Sequence, residues 1–239
     1  MDFGETLMNP FTLHQSAIIT ETYKELGRES EAGERVKKWY ALRDSFGSHE
    51  DPTHQRVRLL KQYAKERVYS EVLENDRRAI QLFEEKERNG FTPTEGLGEL
   101  LTKLRDSDVS VAVVSESASL PAVMVIARFL SQHDLGRYFR ELITPAGRFS
   151  VSGVLLDERF VGKTKKDQTI YDTLRAYLEE QNFRISECAM VGDDPVLDVE
   201  YAKLRGFAAI QYTGVIDRGY STMADYIVDN WNEFPQVTG

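Results

Sequence analysis

The chain has 239 residues, of which 29% are charged and 41% are hydrophobic. This length suffices for one large domain or for a core with a smaller inserted domain, and the composition is too apolar for global disorder. The net charge of −9 argues against nonspecific binding to nucleic acid or to an anionic membrane, because both require a basic surface. We therefore expect a globular protein with a small-molecule partner.

Cysteine content and the first residues favour a cytoplasmic location. Cys188 is the only cysteine, so no intrachain disulfide can form, and a reducing compartment is expected. The opening residues lack the basic and apolar regions of a signal peptide, and no stretch approaches the roughly 18 apolar residues of a membrane helix. We predict a cytoplasmic protein that is a monomer or a homodimer.

The first third of the chain has the pattern of a helical domain. Residues 11–89 carry helical periodicity, and Ile19, Tyr23 and Leu26 fall on one face. Beyond residue 90, the leucines between Leu97 and Leu104 recur at helical spacing and predict the first helix of a different unit.

Strand signals appear only in the second part of the chain. Short apolar, β-rich runs occupy Val109–Val114, Cys188–Val191 and Ala208–Tyr212, and Tyr226–Val228 is a candidate for a last strand. Predicted helices separate these runs. Strands that alternate with helices predict an α/β fold with a doubly wound parallel sheet.

The two patterns define the predicted domain organisation. The sequence contains no internal repeat and no long Gly/Ser linker. We therefore predict an α/β core formed by residues 1–10 and 90–239, with a helical domain of residues 11–89 inserted into it. The hinges are expected near residues 8–12 and 86–93.

The acidic segment that follows one predicted strand carries the strongest chemical signal. Asp193 and Asp194 come directly after the run that ends at Val191, and Asp198 follows. Ligands of open α/β sheets bind beyond the carboxyl ends of the strands, where these acids should lie. Clustered carboxylates repel one another, and a hard divalent cation such as Mg²⁺ relieves that repulsion. The alternative is an Asp-rich turn that caps the following helix.

The motif Gly192-Asp193-Asp194 with Asp198 resembles the fourth motif of the haloacid dehalogenase superfamily. The opening segment Asp2-Phe3-Gly4-Glu5-Thr6-Leu7 resembles the Asp-Phe-Gly-x-Thr-Leu variant of the first motif of that family, in which the first Asp is the nucleophile. The resemblance covers nearly the whole chain, and the helical block then corresponds to the cap domain of the family.

The second and third motifs of the family have weaker counterparts. Ser115, at the end of a predicted strand, resembles the second motif, which holds phosphoryl oxygens. Lys165, followed by Lys-Asp-Gln-Thr-Ile-Tyr, resembles the third motif, whose ammonium neutralises the nucleophile and the phosphoryl group. Lys166 stands where the family usually has proline, and Lys163 is the alternative motif lysine.

The resemblance implies a Mg²⁺-dependent phosphohydrolase that acts on a small phosphorylated metabolite through an aspartyl-phosphate. It implies three sets of site residues: catalytic Asp2, Ser115 and Lys165; substrate-binding Thr6, Ser115, Glu116 and Lys165; and metal-binding Asp2, Gly4 through its carbonyl, Asp193, Asp194 and Asp198.

Two departures from the family pattern affect this prediction. Only Met1 precedes Asp2, so the central strand that normally leads to the nucleophile is expected to be shortened or missing; either the start is truncated or the core is unusual. Gly4 occupies the position of the general acid and base of the family. An enzyme without that group should favour acyl, aryl or anhydride phosphates, whose leaving groups need little protonation. Glu5, one position further on, is expected to point elsewhere.

Two other functions remain open at this stage. A metal-free haloacid dehalogenase, in which the same Asp attacks carbon, is compatible with Gly4 but has no need for the acids at Asp193 and Asp198. A catalytically silent relative that binds a phosphorylated ligand or a protein is compatible with both departures.

Overall fold

In the computed structural model of this chain, residues 1–9, 15–46, 62–216 and 218–235 are described, without the side chains of residues 62–64 and 88. The chain divides into two compact units. The core unit comprises Met1–Asn9 and Thr92–Gly239, and the helical unit comprises Pro10–Phe91. The sequence predicts the divisions after residues 10 and 89, and residues 10–12 of the first predicted hinge lie outside the described residues.

The described residues of the helical unit form helices and turns. Its helices are α1 (Gln15–Glu25), α2 (Glu29–Asp44), α3 (Gln62–Arg67), which continues as a π-helical turn (Val68–Val72), and α4 (Arg77–Asn89). Ile19 and Tyr23 of α1 are fully buried, as their helical spacing predicts, and they share one hydrophobic cluster with Trp39 of α2 and Phe83. This unit therefore has a hydrophobic core of its own.

The core unit alternates strands and helices. Its elements are β1 (Met8–Asn9), β2 (Thr92–Pro93), α5 (Leu97–Asp106), β3 (Val111–Val114), α6 (Leu120–Gln132), β4 (Phe139–Thr144), β5 (Gly147–Phe149), β6 (Leu155–Asp157), α7 (Thr169–Glu180), β7 (Ala189–Gly192), a π-helical turn (Pro195–Glu200), α8 (Tyr201–Lys203), β8 (Ala208–Tyr212) and β9 (Tyr226–Val228). Short 3₁₀ turns occupy Gly136–Tyr138, Ile185–Glu187 and Trp231–Glu233. The α/β class predicted from the sequence is confirmed.

Parallel strands make up the part of the core unit that carries the predicted site. β7, β8 and β9 form one parallel sheet, with Val191 opposite Ile210 and Gln211 opposite Ile227. β3 pairs with β4 in parallel, with Val113 opposite Leu142. Parallel strands end at the same edge of their sheet, so the loops after β7 and β8 are neighbours.

The four-stranded sheet also contains two antiparallel strands that the sequence analysis did not predict. β5 pairs with β4, and β6 pairs with β5, both antiparallel. The chain reverses after Thr144 through Pro145 and Gly147, whose φ of +132° suits glycine. Strands of three residues are too short to show the alternation by which a strand is recognised in sequence.

Met1 and Asp2 bridge the four-stranded sheet and the three-stranded sheet of the core unit. The Met1 nitrogen donates to the Ala112 carbonyl at 2.8 Å, and the Val114 nitrogen donates to the Met1 carbonyl at 2.8 Å. On the other side, the Asp2 nitrogen donates to the Val191 carbonyl at 2.7 Å. Met1 and Asp2 thus make the ladder contacts between β3 and β7.

Apolar packing fixes α5 and α7 to the core unit. The four leucines of α5 between Leu97 and Leu104 are buried, as their spacing predicts. Tyr171 and Ile170 of α7 are fully buried in a cluster with Val114 and Met190 of the strands. Among the helices of the described ranges, none is long and apolar enough to cross a membrane.

The helical unit buries the carboxyl group of Glu87 on α4. This residue is 3% exposed, its Oε2 lies 3.3 Å from Lys65 Nζ, and its Oε1 accepts a hydrogen bond from Gln15 at 3.4 Å. Burial raises the pKa of Glu87 to about 7, against the opposing effects of Lys65 and Gln15. The folded protein therefore binds a proton at Glu87 over a pH range in which the unfolded chain has released it.

We predict that Glu87→Gln stabilises the protein more at pH 8 than at pH 5. Stability falls with rising pH wherever the folded state holds more protons. For Glu87 this pH range runs from the ordinary carboxyl pKa near 4.5 to about 7. The substitution should therefore raise the free energy of unfolding by about 2 kcal/mol more at pH 8 than at pH 5. Urea unfolding of both proteins at each pH measures the difference. Glu85→Gln, on the exposed face of α4, is the control, and equal effects of the two substitutions would contradict the prediction.

Candidate active site

The predicted motifs converge at one edge of the core unit. Asp193 follows β7, Ser115 follows β3, and Asp2 lies between the two strands. Together they border a cavity of about 370 Å³, whose lining includes Asp2, Gly4, Glu5, Ser115, Glu116, Lys165, Asp193, Asp194, Asp198 and Arg218. Segments that are far apart in the sequence therefore contribute to one cavity.

Three carboxylates form the centre of this site. Oxygens of Asp2, Asp193 and Asp198 lie within 4.8 Å of one another. The side chains of Asp193 and Asp198 are almost fully buried. Each pair of ionised groups at this distance repels by about 3 kcal/mol at an effective dielectric near 20. The cluster therefore requires positive charge.

Burial and neighbouring charges raise the pKa values of two of these acids. Burial raises the pKa of Asp198 to about 6, against the opposing charge of Lys165. Burial also raises the pKa of Asp193, and the neighbouring charges of Asp2 and Asp198 add to the effect. A divalent cation would favour the ionised forms of both acids.

Lys165 supplies one positive charge to the cluster. It is 2% exposed, and its Nζ donates to Asp2 Oδ1 and to Asp198 Oδ1 at 2.6 Å. Burial opposes the charge of Lys165, but Asp198 and Asp2 outweigh it and hold the pKa of Lys165 well above its ordinary value. Of the two motif lysines considered, the structure brings Lys165, and not Lys163, to the acids.

Gly192 allows Asp198 to approach the end of β7. A Cβ atom at Gly192 would lie 2.3 Å from the Asp198 carboxyl carbon, so any side chain there would displace the acid. Asp198 Oδ2 accepts a hydrogen bond from the Asp194 nitrogen at 3.1 Å. Gly192 and the backbone of Asp194 thus help to position Asp198.

Asp194 caps the following helical turn. Its Oδ1 accepts from the nitrogens of Val196 at 2.9 Å and Leu197 at 2.8 Å. Its side chain lines the cavity but is not a member of the three-acid cluster. The capping geometry considered at the sequence level therefore applies to Asp194, while Asp193 and Asp198 turn toward Asp2.

The residues predicted to bind substrate fall into two groups. Ser115 and Glu116 line the cavity; the Ser115 hydroxyl lies 3.1 Å from that of Ser117, and Glu116 accepts from the Lys166 nitrogen at 3.0 Å. Thr6 is fully buried, and its hydroxyl donates to Asp193 Oδ1 at 3.4 Å. Thr6 thus lies behind Asp193, where it orients that carboxylate.

The expectation that Glu5 points away from the site is wrong. Glu5 adopts a left-handed backbone with φ of +53°, which turns its side chain into the lining of the cavity. Burial raises the pKa of Glu5 to about 7, against the charge of Arg218. The sequence prediction assumed that Glu5 lies on a regular strand, where neighbouring side chains point to opposite sides. The left-handed backbone of Glu5 changes the direction of its side chain.

Arg218 is a charged site residue that the sequence did not predict. Its Nε lies 2.6 Å from Asp193 Oδ2, and its Nη2 lies 3.5 Å from Glu5 Oε2. Arg218 belongs to the loop after β8, whose carboxyl end lies beside that of β7. Its place after a predicted strand is the one feature of the sequence that could have indicated a site residue. Many arginines in loops have such a place, so the feature alone does not identify Arg218.

The donor set fits a hard divalent cation. Carboxylate oxygens of Asp2, Asp193 and Asp198 converge, and no soft sulfur ligand lines the cavity as described. Oxygen ligands of this kind, with space for water and phosphate oxygens, suit Mg²⁺.

We predict that Lys165→Met destabilises the protein by about 3 to 5 kcal/mol, because removal of one partner leaves buried charges uncompensated. Lys163→Met, which removes a half-buried lysine of the same loop, should cost no more than about 1 kcal/mol. Chemical denaturation in EDTA compares the two variants. A larger loss for Lys163→Met than for Lys165→Met would contradict this assignment.

Comparisons with known proteins identify the fold. No protein-family model matches the chain, and no curated protein matches it. Three solved structures resemble it: a HAD phosphatase from Thermococcus onnurineus, with 20% identity and a TM-score of 0.52; a protein assigned as the HAD-hydrolase YfnB from Bacillus subtilis, solved bound to magnesium, with 11% identity and a TM-score of 0.56; and a haloacid dehalogenase-like family hydrolase from Streptococcus pneumoniae, with 13% identity and a TM-score of 0.50.

Each of these alignments covers 97% of this chain and 93% of the other chain. The similarity therefore includes both the core unit and the helical unit. At these identities the likeness concerns the fold. The chain has the α/β fold of the haloacid dehalogenase superfamily, as its motifs predict.

Proposed function

We propose that this protein is a Mg²⁺-dependent phosphohydrolase that acts on a small phosphorylated metabolite. The observation that carries the proposal is the pairing of Asp2 with the buried Lys165 inside a cavity that also gathers Asp193 and Asp198. A paired carboxylate beside a converging acid cluster provides both a nucleophile and a cation site. The magnesium bound to the Bacillus subtilis hydrolase of similar fold agrees with this proposal.

The proposed reaction has two steps at Asp2. A carboxylate oxygen of Asp2 attacks phosphorus, and the bond from phosphorus to the leaving-group oxygen breaks. The leaving group departs as an anion or takes a proton from water. Water then attacks phosphorus in the aspartyl-phosphate, which releases inorganic phosphate and restores the carboxylate. Covalent catalysis of this kind divides one difficult displacement into two easier ones.

The other site residues have distinct proposed roles. Lys165 orients Asp2 through their ion pair and lies where it can balance charge on the transferring oxygens. The Ser115 hydroxyl, at the end of β3, is a donor to those oxygens. Asp2, the Gly4 carbonyl, Asp193 and Asp198 would hold Mg²⁺, with Asp194 at the edge of the set. The bound cation would supply Lewis-acid stabilisation of the phosphoryl oxygens.

The chemistry of the leaving group narrows the substrate class. Gly4 has no side chain to protonate the departing oxygen, and general acid catalysis contributes about 10²- to 10⁴-fold. Acyl, aryl and anhydride phosphates release weakly basic groups that need little protonation. We therefore propose substrates of this class, of a size that fits a cavity of about 370 Å³.

The dehalogenase alternative has less support from the geometry. Displacement of halide from carbon by Asp2 requires no metal, whereas Asp193 and Asp198 are buried beside Asp2 at the cost of strong mutual repulsion. Release of chloride from 2-chloropropionate would revive this alternative.

The silent-relative alternative gains some support from Arg218, which already balances Asp193. A protein of this kind would be stabilised against heat by phosphate analogues yet consume no member of a substrate panel. A ligand at 100 times its dissociation constant adds about 2.7 kcal/mol, so such binding is readily detected.

We predict that Asp2→Asn lowers hydrolysis of acetyl phosphate and p-nitrophenyl phosphate at least about 10³-fold, because it removes the nucleophile. EDTA should abolish the activity of the unaltered protein, and Mg²⁺ should restore it. Asp106→Asn, an exposed carboxylate on α5, is the matched control and should leave the rate unchanged. Equal rates in Mg²⁺ and in EDTA would reject the metal-dependent mechanism.

We further predict that Gly4→Asp raises hydrolysis of alkyl phosphates about 10²-fold or more and changes acetyl phosphate hydrolysis little. A Cβ atom at Gly4 meets nothing within 4 Å, so a side chain can begin at this position without a clash. The ratio of rates on glycerol 3-phosphate and acetyl phosphate, before and after the substitution, provides the measurement. An unaltered protein equally active on both substrates would show that another group, such as Glu5, already protonates the leaving group.

A further inference from the structure

Two cationic side chains of the chain itself pair with the acid cluster. Lys165 contacts two of the three acids, Asp2 and Asp198. The third, Asp193, pairs instead with Arg218 at 2.6 Å. Lys165 belongs to the third motif of the resemblance, whereas Arg218 belongs to none of the four. Its function therefore needs a separate explanation.

Three carboxylates surround the Arg218 guanidinium. Nε faces Asp193, Nη2 lies 3.5 Å from Glu5, and Nη1 lies 4.0 Å from Asp194. The Asp193 side chain is 4% exposed, while that of Arg218 is 25% exposed. Arg218 thus reaches from the cavity surface to a buried carboxylate, and solvent can receive its head group if it is displaced.

Asp193 has donors on both of its oxygens. Thr6 donates to Oδ1 at 3.4 Å, and Arg218 donates to Oδ2 at 2.6 Å. The bond from Arg218 is short and charge-assisted, and bonds to charged groups contribute about 1.5 to 3 kcal/mol each. A divalent cation that takes Asp193 as a ligand must weaken this bond, and its two positive charges repel the guanidinium.

We propose that Arg218 is a built-in competitor of the divalent cation for Asp193 and thereby sets the metal affinity of the site. This inference rests on the proposed function, since it requires the acid cluster to bind a divalent cation. Arg218 pairs with Asp193 when the cation is absent, and it releases the Asp193 carboxylate when the cation binds. The protein then needs a higher Mg²⁺ concentration to fill its site than the three acids alone would require.

Mg²⁺ binding to Arg218→Met tests the proposal. Calorimetric titration and melting curves in MgCl₂, against NaCl of equal ionic strength, give the dissociation constant without reference to catalysis. Loss of a competing charge-assisted bond should lower the Mg²⁺ dissociation constant about tenfold or more. In EDTA the variant should melt at a lower temperature than the unaltered protein, and saturating Mg²⁺ should narrow that gap.

Two further variants complete the design. Arg205→Met removes an arginine that pairs with Asp172 at 3.0 Å and does not line the cavity, so its dissociation constant should stay that of the unaltered protein. Arg218→Lys keeps the charge but loses the fork that faces three carboxylates. Its dissociation constant should fall by less than that of Arg218→Met, and it decides the question if Arg218→Met does not fold.

The outcomes separate this inference from the proposed function. An unchanged or higher dissociation constant in both Arg218 variants, with clear binding to the unaltered protein, would overturn the competition and leave the phosphohydrolase proposal standing. Binding to Arg218→Met alone would support the competition in its strongest form. Folded proteins that all fail to bind Mg²⁺ would overturn both.

Discussion

The site depends on the charge balance among acids that are brought together from distant parts of the chain. Asp2 comes from the first residues, whereas Asp193 and Asp198 follow β7, and all three present oxygens within 4.8 Å of one another. Lys165 is buried between Asp2 and Asp198, and its positive charge reduces the repulsion between these two carboxylates. Without such positive charge, burial and mutual repulsion would favour the protonated forms of Asp193 and Asp198 still more strongly.

Backbone hydrogen bonds hold Asp2 in this position. Met1 bonds to β3 on one side, and Asp2 bonds to β7 on the other. Asp2, the proposed nucleophile, is therefore fixed by the two strands whose ends carry Ser115 and Asp193. Gly192 complements this arrangement, since only a residue without a side chain lets Asp198 lie against the end of β7.

Much of this arrangement follows from the sequence, and the exceptions have physical reasons. The acid loop, Lys165 and the helices carry local patterns, so the α/β class and the gathering of Asp2 with Asp193 were predictable. Glu5 enters the cavity because one left-handed residue alters the direction of its side chain, and a pattern based on spacing assumes regular backbone. Arg218 reaches Asp193 through a loop after β8, where long side chains follow no periodicity. The antiparallel strands β5 and β6 are too short to leave a sequence pattern.

The central claim is that Asp2, Asp193 and Asp198 form one cation site. Melting temperatures of the unaltered protein and of Asp193→Asn, each with and without saturating MgCl₂ at constant ionic strength, test it most directly. The account predicts that Mg²⁺ raises the melting temperature of the unaltered protein and has little effect on Asp193→Asn. No rise in the unaltered protein, or an equal rise in both, would contradict it.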